Sequence, residues 1–199
     1  MTRFRNCFAL ALTVLVFSSV SAQALELSPV LGLNLSSVTD PNGTLKPSLK
    51  VGFGLGGFLS FGVVPMVLDA ELGALYMTRR LEYNQAVTAT STVLADSTAH
   101  TLQFPLVARL KVIPLINPGL GFYYASTLGD VTVKTPTGET SGAPTSRSDY
   151  GLVGSVQFKL PLLPLFGLLA DARYNFGLHE VGGSKTRELQ FLAGASLGF

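Results

Sequence analysis

FGLLADARYNFGL, Phe166 to Leu178, decides the fold. Read as a helix, Asp171, Arg173 and Asn175 fall on conflicting faces, because residues two apart sit about 200° around the wheel. Read as a strand, they share one side, since side chains alternate with period two. The other side then carries Phe166, Leu168, Ala170, Ala172, Tyr174, Phe176 and Leu178, polar only at the tyrosine hydroxyl. The strand reading is the consistent one, and it leaves open which side meets water.

The same alternation recurs at 25–36, 49–60, 66–76, 101–112, 118–128, 150–160 and 187–199. With the opening stretch these make eight strands, each long enough to cross a bilayer at the usual tilt. Apart from Arg187, which opens the last stretch, every ionisable acid or base in them falls on the polar side: Glu26, Lys50, Asp69, Glu71, Arg109, Lys111, Lys159, Asp171, Arg173 and Glu188. A soluble sandwich would put its charges outside over an apolar core. A membrane barrel must do the reverse, since a lipid-facing Arg or Lys near the midplane costs about 2–4 kcal/mol. The apolar sides are therefore read as facing lipid and the polar sides as facing a lumen. The fold class that follows is all-β, an eight-stranded antiparallel up-and-down transmembrane barrel.

Bulk properties agree. Mean hydropathy is +0.42, yet after the N-terminus no 18 consecutive apolar residues occur, which excludes ordinary spanning helices and suits a barrel. Residues 1–24 have the form of a signal peptide: Arg3 and Arg5, an apolar run from Cys7 to Val20, then a small-residue site with cleavage after Ala22 or Ala24. Residues 25–199 form the barrel domain. Removing the signal takes away Cys7, the single cysteine, so the exported chain folds without disulfides. It also removes two arginines and leaves acids and bases in balance, which excludes a basic nucleic-acid-binding stripe.

Connection lengths alternate. The long ones, 37–47, 80–98, 129–148 and 179–186, are rich in Thr, Ser, Asn and Gly, with a turn signal at Asp40-Pro41-Asn42-Gly43. The short ones are 61–65, 113–117 and 161–165, with Pro65, Pro114, Pro161 and Pro164 at or beside them. Long outer loops and short periplasmic turns put both termini in the periplasm.

The chain resembles the small bacterial outer-membrane β-barrel proteins, the OmpA/OmpX-like, porin-family outer membrane protein beta-barrel domain group. Three features carry the resemblance over the whole mature chain. Phe199 ends it, preceded by alternating apolar positions that include Leu197 and Phe191, and this is similar to the C-terminal signal read by the barrel-assembly machinery. Leu102-Gln103-Phe104-Pro105-Leu106 resembles one family strand, and Asp171-Ala172-Arg173-Tyr174 with Gly177-Leu178 another. The resemblance implies an integral protein of the outer membrane of a Gram-negative bacterium. Its partners would be outer-membrane lipid and, during biogenesis, that machinery. Trp is absent, which leaves Tyr76, Tyr124, Tyr150, Tyr174 and Phe176 to form an aromatic girdle.

Candidate chemistry is sparse. Gly52-Phe53-Gly54-Leu55-Gly56-Gly57 matches GxGxxG but lacks the helix that a dinucleotide site needs. These glycines are better read as lumen-facing room for neighbours such as Phe58, Tyr123 and Arg109. His100 and His179 have no metal-ligand spacing and no cysteine to assist them, so neither a metal nor a cofactor is expected. His179-Glu180 with Ser184 sketches a lipid-modifying hydrolase, and loop-edge polar residues are the better reading. Asn42-Gly43-Thr44 is a sequon that reads as a turn. Pro105 removes a ladder hydrogen bond, so a local bulge is expected there.

The ten lumen charges comprise five acids and five bases. An eight-stranded barrel is only just wide enough for its own side chains, and charges held away from water persist if paired. The expectation is a monomeric, non-enzymatic protein with a polar, filled lumen, structural or interacting through its outer loops. A narrow porin-like channel for small solutes is the alternative, and a lipid-modifying enzyme the more remote one.

Overall fold

The computed structural model describes residues 25–39, 50–88, 91–111, 115–135, 138–144, 146–181 and 184–199. The signal peptide, the turn at 40–43 and the sequon at 42–44 lie outside them. Among the described residues there are nine strands: β1 (Glu26–Thr39), β2 (Lys50–Val64), β3 (Leu68–Thr88), β4 (Ser91–Leu110), β5 (Ile116–Thr135), β6 (Gly138–Gly142), β7 (Ser148–Leu163), β8 (Phe166–Val181) and β9 (Ser184–Gly198). All ladders are antiparallel. β4 pairs with β5, and β9 with β1, so the sheet closes on itself. β6 is not a ninth stave, because it continues β7 along the same edge of β5: Ser126 faces Ser148, and Val131 faces Gly142. The barrel is therefore eight-stranded, as the alternation predicts.

Stepping across the ladders from Glu26 leads through Ser60, Glu71, Val107, Gly121, Val153, Asn175 and Glu188, and returns to β1 at Ser36, ten residues further on. For eight strands that stagger corresponds to a tilt of about 40°. The whole circuit runs along inward positions.

The connections differ from the expected loops. Much of 80–98 is a β3–β4 ribbon, 129–148 contains the β5–β6 ribbon, and strand pairing runs into 179–186 as far as Val181 and Ser184. The threonines and serines of these segments are β formers as well as loop residues, so composition alone does not separate ribbon from coil. The β4–β5 ladder continues to Asp96 and Lys134, which joins β3, β4, β5 and β6 into one sheet above the mouth.

The filling of the lumen departs from a purely polar one. Two apolar clusters lie inside: Val30, Phe58, Leu75, Met77, Leu169 and Leu192, and Val107, Tyr123, Ala125 and Val153. Bulky inward side chains face glycines across the ladders: Leu192 opposite Gly32, Met77 opposite Gly54, Leu75 opposite Gly56, Phe58 opposite Gly73, and Tyr123 opposite Gly151. A Cβ on Gly54 would lie 1.9 Å from the Met77 sulfur. Room is made as expected, but by different pairs. Gly52, Gly54 and Gly56 clear backbone, Met77 and Leu75, whereas Phe58, Tyr123 and Arg109 are admitted by Gly73, Gly151 and Gly119.

The bulge expected at Pro105 is absent. Leu72–Leu106 and Leu75–Gln103 keep one register on either side of it, and Pro105 stays in register with Tyr123. Its ring sits over Gly73, so the missing N–H is accommodated without inserting a residue. Register shifts fall at Gly62/Val64, Ala86/Thr88, Thr98/His100, Pro161/Leu163 and Phe176/Glu180 instead.

Candidate functional site: a lumen braced in tiers

Inward polar residues from facing walls meet in separate tiers. Nearest the short turns, the Lys159 ammonium lies 2.6 Å from Glu26, which also accepts from Ser28 at 3.1 Å. Lys111 lies 2.7 Å from Asp69.

The next tier is the densest. Arg109 forks onto Glu71, with Nε to Oε2 at 2.6 Å and Nη2 to Oε1 at 3.0 Å, and donates to Asp171 at 2.6 Å and to Ser155 at 3.1 Å. Arg173 donates to Glu71 and Asp171, both at 2.6 Å, and its guanidinium stands 3.9 Å from the centre of the Phe58 ring. Gln157 adds a bond to Glu71 at 3.3 Å. Two acids and two arginines, all buried, neutralise one another here. The fork geometry of Arg makes these charge-assisted bonds strong.

Further toward the long loops, Gln190 donates to Gln103 at 2.9 Å across the full width of the barrel. The last tier is a bolt made by Arg79, which pairs with Asp149 at 3.1 Å on one side and with Glu188 on the other. Tyr123 donates to Asp149 at 3.3 Å, and Ser36 and Asn175 donate to Glu188 at 3.4 and 3.5 Å. Lys50 faces Ser36 in the β1–β2 ladder at this end.

The ten charges read from the sequence thus occupy several sites instead of one network. Glu71, Arg109, Asp171 and Arg173 come together. Glu26 with Lys159 and Asp69 with Lys111 make separate pairs, and Glu188 belongs to the loop-end tier. Arg79, Asp149, Gln103, Gln157 and Gln190 join in without having been picked out. Continuing the inward parity two residues past Met77, or two residues before Gly151, reaches Arg79 and Asp149. They were missed because the strands were ended too early.

On the outer wall Tyr76, Tyr124, Tyr150 and Tyr174 are exposed and Phe176 is half-buried. Tyr124 faces Tyr150, and the ladder from Tyr76 leads through Leu102 to Ser126, one outward position beyond Tyr124. Among the described residues the outward tyrosines lie in the loop-side half, while the short-turn end carries Phe61, Phe158, Phe166 and Phe199. His100 stacks on Tyr76, with its Nδ1 sharing a 2.8 Å hydrogen bond with the tyrosine hydroxyl. The His179 ring packs 5.4 Å from that of Tyr150. The side chains of Glu180 and Ser184 lie outside the described residues. Phe191 and Phe199 are exposed, and Leu197 is half-buried.

A closed eight-stranded barrel, apolar outside and filled by its own paired charges, defines a small membrane barrel of the outer-membrane type. Residues 18–182 match the family described as "Outer membrane protein beta-barrel domain", and the chain belongs to that family. The family places it in the bacterial outer membrane. No curated protein sequence matches the chain. Among solved structures, the outer membrane protein OprG of Pseudomonas aeruginosa is similar, at 13% identity and a TM-score of 0.60, over 89% of this chain and 96% of OprG. A major outer membrane protein of Thermus thermophilus is similar at 15% identity and a TM-score of 0.53, over 88% of this chain and all (100%) of that one. Neisserial surface protein A is similar at 14% identity and a TM-score of 0.51, over 88% and 97%. At these identities the likeness concerns the fold.

Proposed function

We propose that this barrel is a non-enzymatic, non-conducting protein, structural in the membrane and interacting through its long loops. The observation that supports this is the set of braces across the lumen. Arg173 to Glu71, Arg109 to Asp171, Gln190 to Gln103 and Arg79 to Asp149 and Glu188 each join staves at least three apart around the ring. Between the arginine tiers the apolar clusters contain Leu75, Met77, Tyr123, Val153 and Leu192. An ion passing these clusters would lose hydration that their aliphatic side chains do not replace.

The four-stranded sheet of β3 to β6 above the mouth supplies a surface that barrel closure does not need. In this reading the termini lie on the periplasmic side, the tyrosine belt anchors the outer leaflet, Phe199 with Leu197 and Phe191 serves assembly, and the protein acts as a monomer. Planar-bilayer recording of refolded protein is the test. A flat trace is expected. Stepwise current that changes when Arg109 or Asp171 is neutralised would establish the porin-like alternative.

A further inference from the structure

The three short turns share one pattern. Each is a proline between two apolar pairs: Val63-Val64-Pro65-Met66-Val67, Val112-Ile113-Pro114-Leu115-Ile116 and Leu162-Leu163-Pro164-Leu165-Phe166. None of these side chains carries a charge, a hydroxyl or an amide. A turn standing in water is ordinarily built with Gly, Asn, Asp and Ser. Here Met66 is 86% exposed and Leu165 64%, and Leu115 is exposed with them. An apolar groove of about 510 Å³ opens between Leu165 and Phe199. The nearest charges give this end no polar collar, because Lys111 with Asp69 and Lys159 with Glu26 pair off at inward positions.

The backbone of this rim is satisfied from within. Its prolines have no N–H to place. Val67 donates to Val64 at 3.1 Å across the first turn. One carbonyl of each turn is then taken by a neighbouring stave: Lys111 donates its backbone N–H to Val67, Lys159 to Leu115 and Gly198 to Leu165, each at 2.9 Å. Backbone immersed in lipid needs such internal partners, because no water is there to supply them.

Depth follows from the tyrosine belt. At a tilt of about 40° each residue advances about 2.5 Å along the barrel axis. Met66 lies ten residues before Tyr76, while Leu115 and Leu165 lie nine before Tyr124 and Tyr174. These turn residues therefore stand about 23–25 Å from the belt, which is the height of the apolar band of a membrane barrel. A rim at that depth meets the lipid of its own side and has no overhang into water.

We propose that the short-turn end is a lipid-embedded rim, its three proline-centred turns inserted into the leaflet on that side and covered by acyl chains. A soluble protein is a poorer occupant, since a surface for it would have to project beyond the lipid. The inference goes beyond the loop-mediated role, concerns the opposite end of the barrel and does not depend on whether the lumen conducts.

The chain has no tryptophan, and its one cysteine, Cys7, lies outside the barrel domain, so single reporters can be introduced. Met66→Trp and Leu165→Trp are made separately in the mature chain and refolded into lipid nanodiscs, which leave both faces open to water. Leu120→Trp on the outward wall and Ser141→Trp on the exposed β6 serve as references. Both turn variants are expected to lose as much emission as Leu120→Trp to lipids brominated on their acyl chains. Iodide should quench Ser141→Trp strongly and the turn variants little. Turn tryptophans as open to iodide as Ser141→Trp, or untouched by bromine, overturn the proposal and leave the rim to a soluble protein. Tryptophan itself favours interfaces, so Met66→Cys gives an independent reading and decides alone if a tryptophan variant does not fold. A water-soluble maleimide should label it about tenfold more slowly than Ser141→Cys, because a thiol in apolar surroundings resists ionising. Equal labelling rates refute the embedded rim.

Discussion

Arg173 on β8 and Glu71 on β3 meet at 2.6 Å from diametrically opposite staves of the barrel, and Asp171 and Arg109 close the group around them. Such a contact ties the cross-section together in a way that no ladder hydrogen bond can. Its energetics follow from burial. Removing one partner strands the others, whereas removing a matched pair leaves a neutral gap.

Arg173→Met is therefore expected to destabilise the refolded protein by about 3–5 kcal/mol. Arg173→Met combined with Glu71→Gln should cost clearly less than the two single changes summed. Urea unfolding in lipid vesicles, followed by the heat-dependent shift in gel mobility, measures all three variants. Strict additivity would show that the residues do not act as one group.

Glycines on the two faces of the wall, the inward Gly121 and the outward Gly154, give a second contrast. A Cβ at Gly121 would lie 1.9 Å from the Leu106 carbonyl oxygen and 2.8 Å from the Val107 Cα, both of them backbone. At Gly154 nothing stands within 4 Å. Gly121→Ala is expected to cost about 1–3 kcal/mol and Gly154→Ala to stay within about 0.5 kcal/mol, in the same unfolding assay. Similar losses at both sites would mean that glycine content, and not local space, governs barrel stability.

The architecture was legible because lipid enforces it. Charges at 171 and 173, and at 69 and 71, cannot share a side with Leu168 or Leu72 in a membrane wall, so parity alone locates inside and outside. Partners were less legible. Nothing local tells Arg109 that Asp171, three staves away, is its neighbour, because that depends on the ten-residue stagger of the closed sheet. Arg79 and Asp149 stayed hidden for another reason: their stretches look like loop in composition, while the ladders carry inward parity past the apolar band. Pro105 shows the limit of a one-strand rule, since the glycine on the neighbouring strand decides whether a bulge is needed.

The turn between β2 and β3 holds a strained residue. Pro65 and Met66 lie at its centre, Val67 donates to Val64 at 3.1 Å, and Met66 has φ 63°. A left-handed backbone costs a non-glycine residue about 1–2 kcal/mol, and glycine's greater freedom in the unfolded chain offsets part of what relief would bring. Met66→Gly should raise stability slightly, whereas Met66→Val, branched at Cβ, should lower it. Met66 is exposed, so neither change disturbs packing. If valine proves as stable as glycine, the turn does not hold the φ seen here.

Which wall meets lipid is decided by Ala172. It faces outward on β8 between Ala170 and Tyr174, opposite Val156 on β7 and Phe191 on β9, on the reverse side of the strand from Asp171 and Arg173. A lysine there stands one outward position from Tyr174, on the short-turn side, among apolar neighbours. Ala172→Lys is expected to cost about 2–4 kcal/mol in a bilayer, against about 0–1 kcal/mol for Leu128→Lys near the loop end. Detergent micelles, which let water reach the wall, should shrink the difference between the two. The comparison separates lipid contact from simple loss of packing, since Ala172 is exposed. Equal penalties for the two lysines in vesicles would contradict a lipid-facing wall at Ala172.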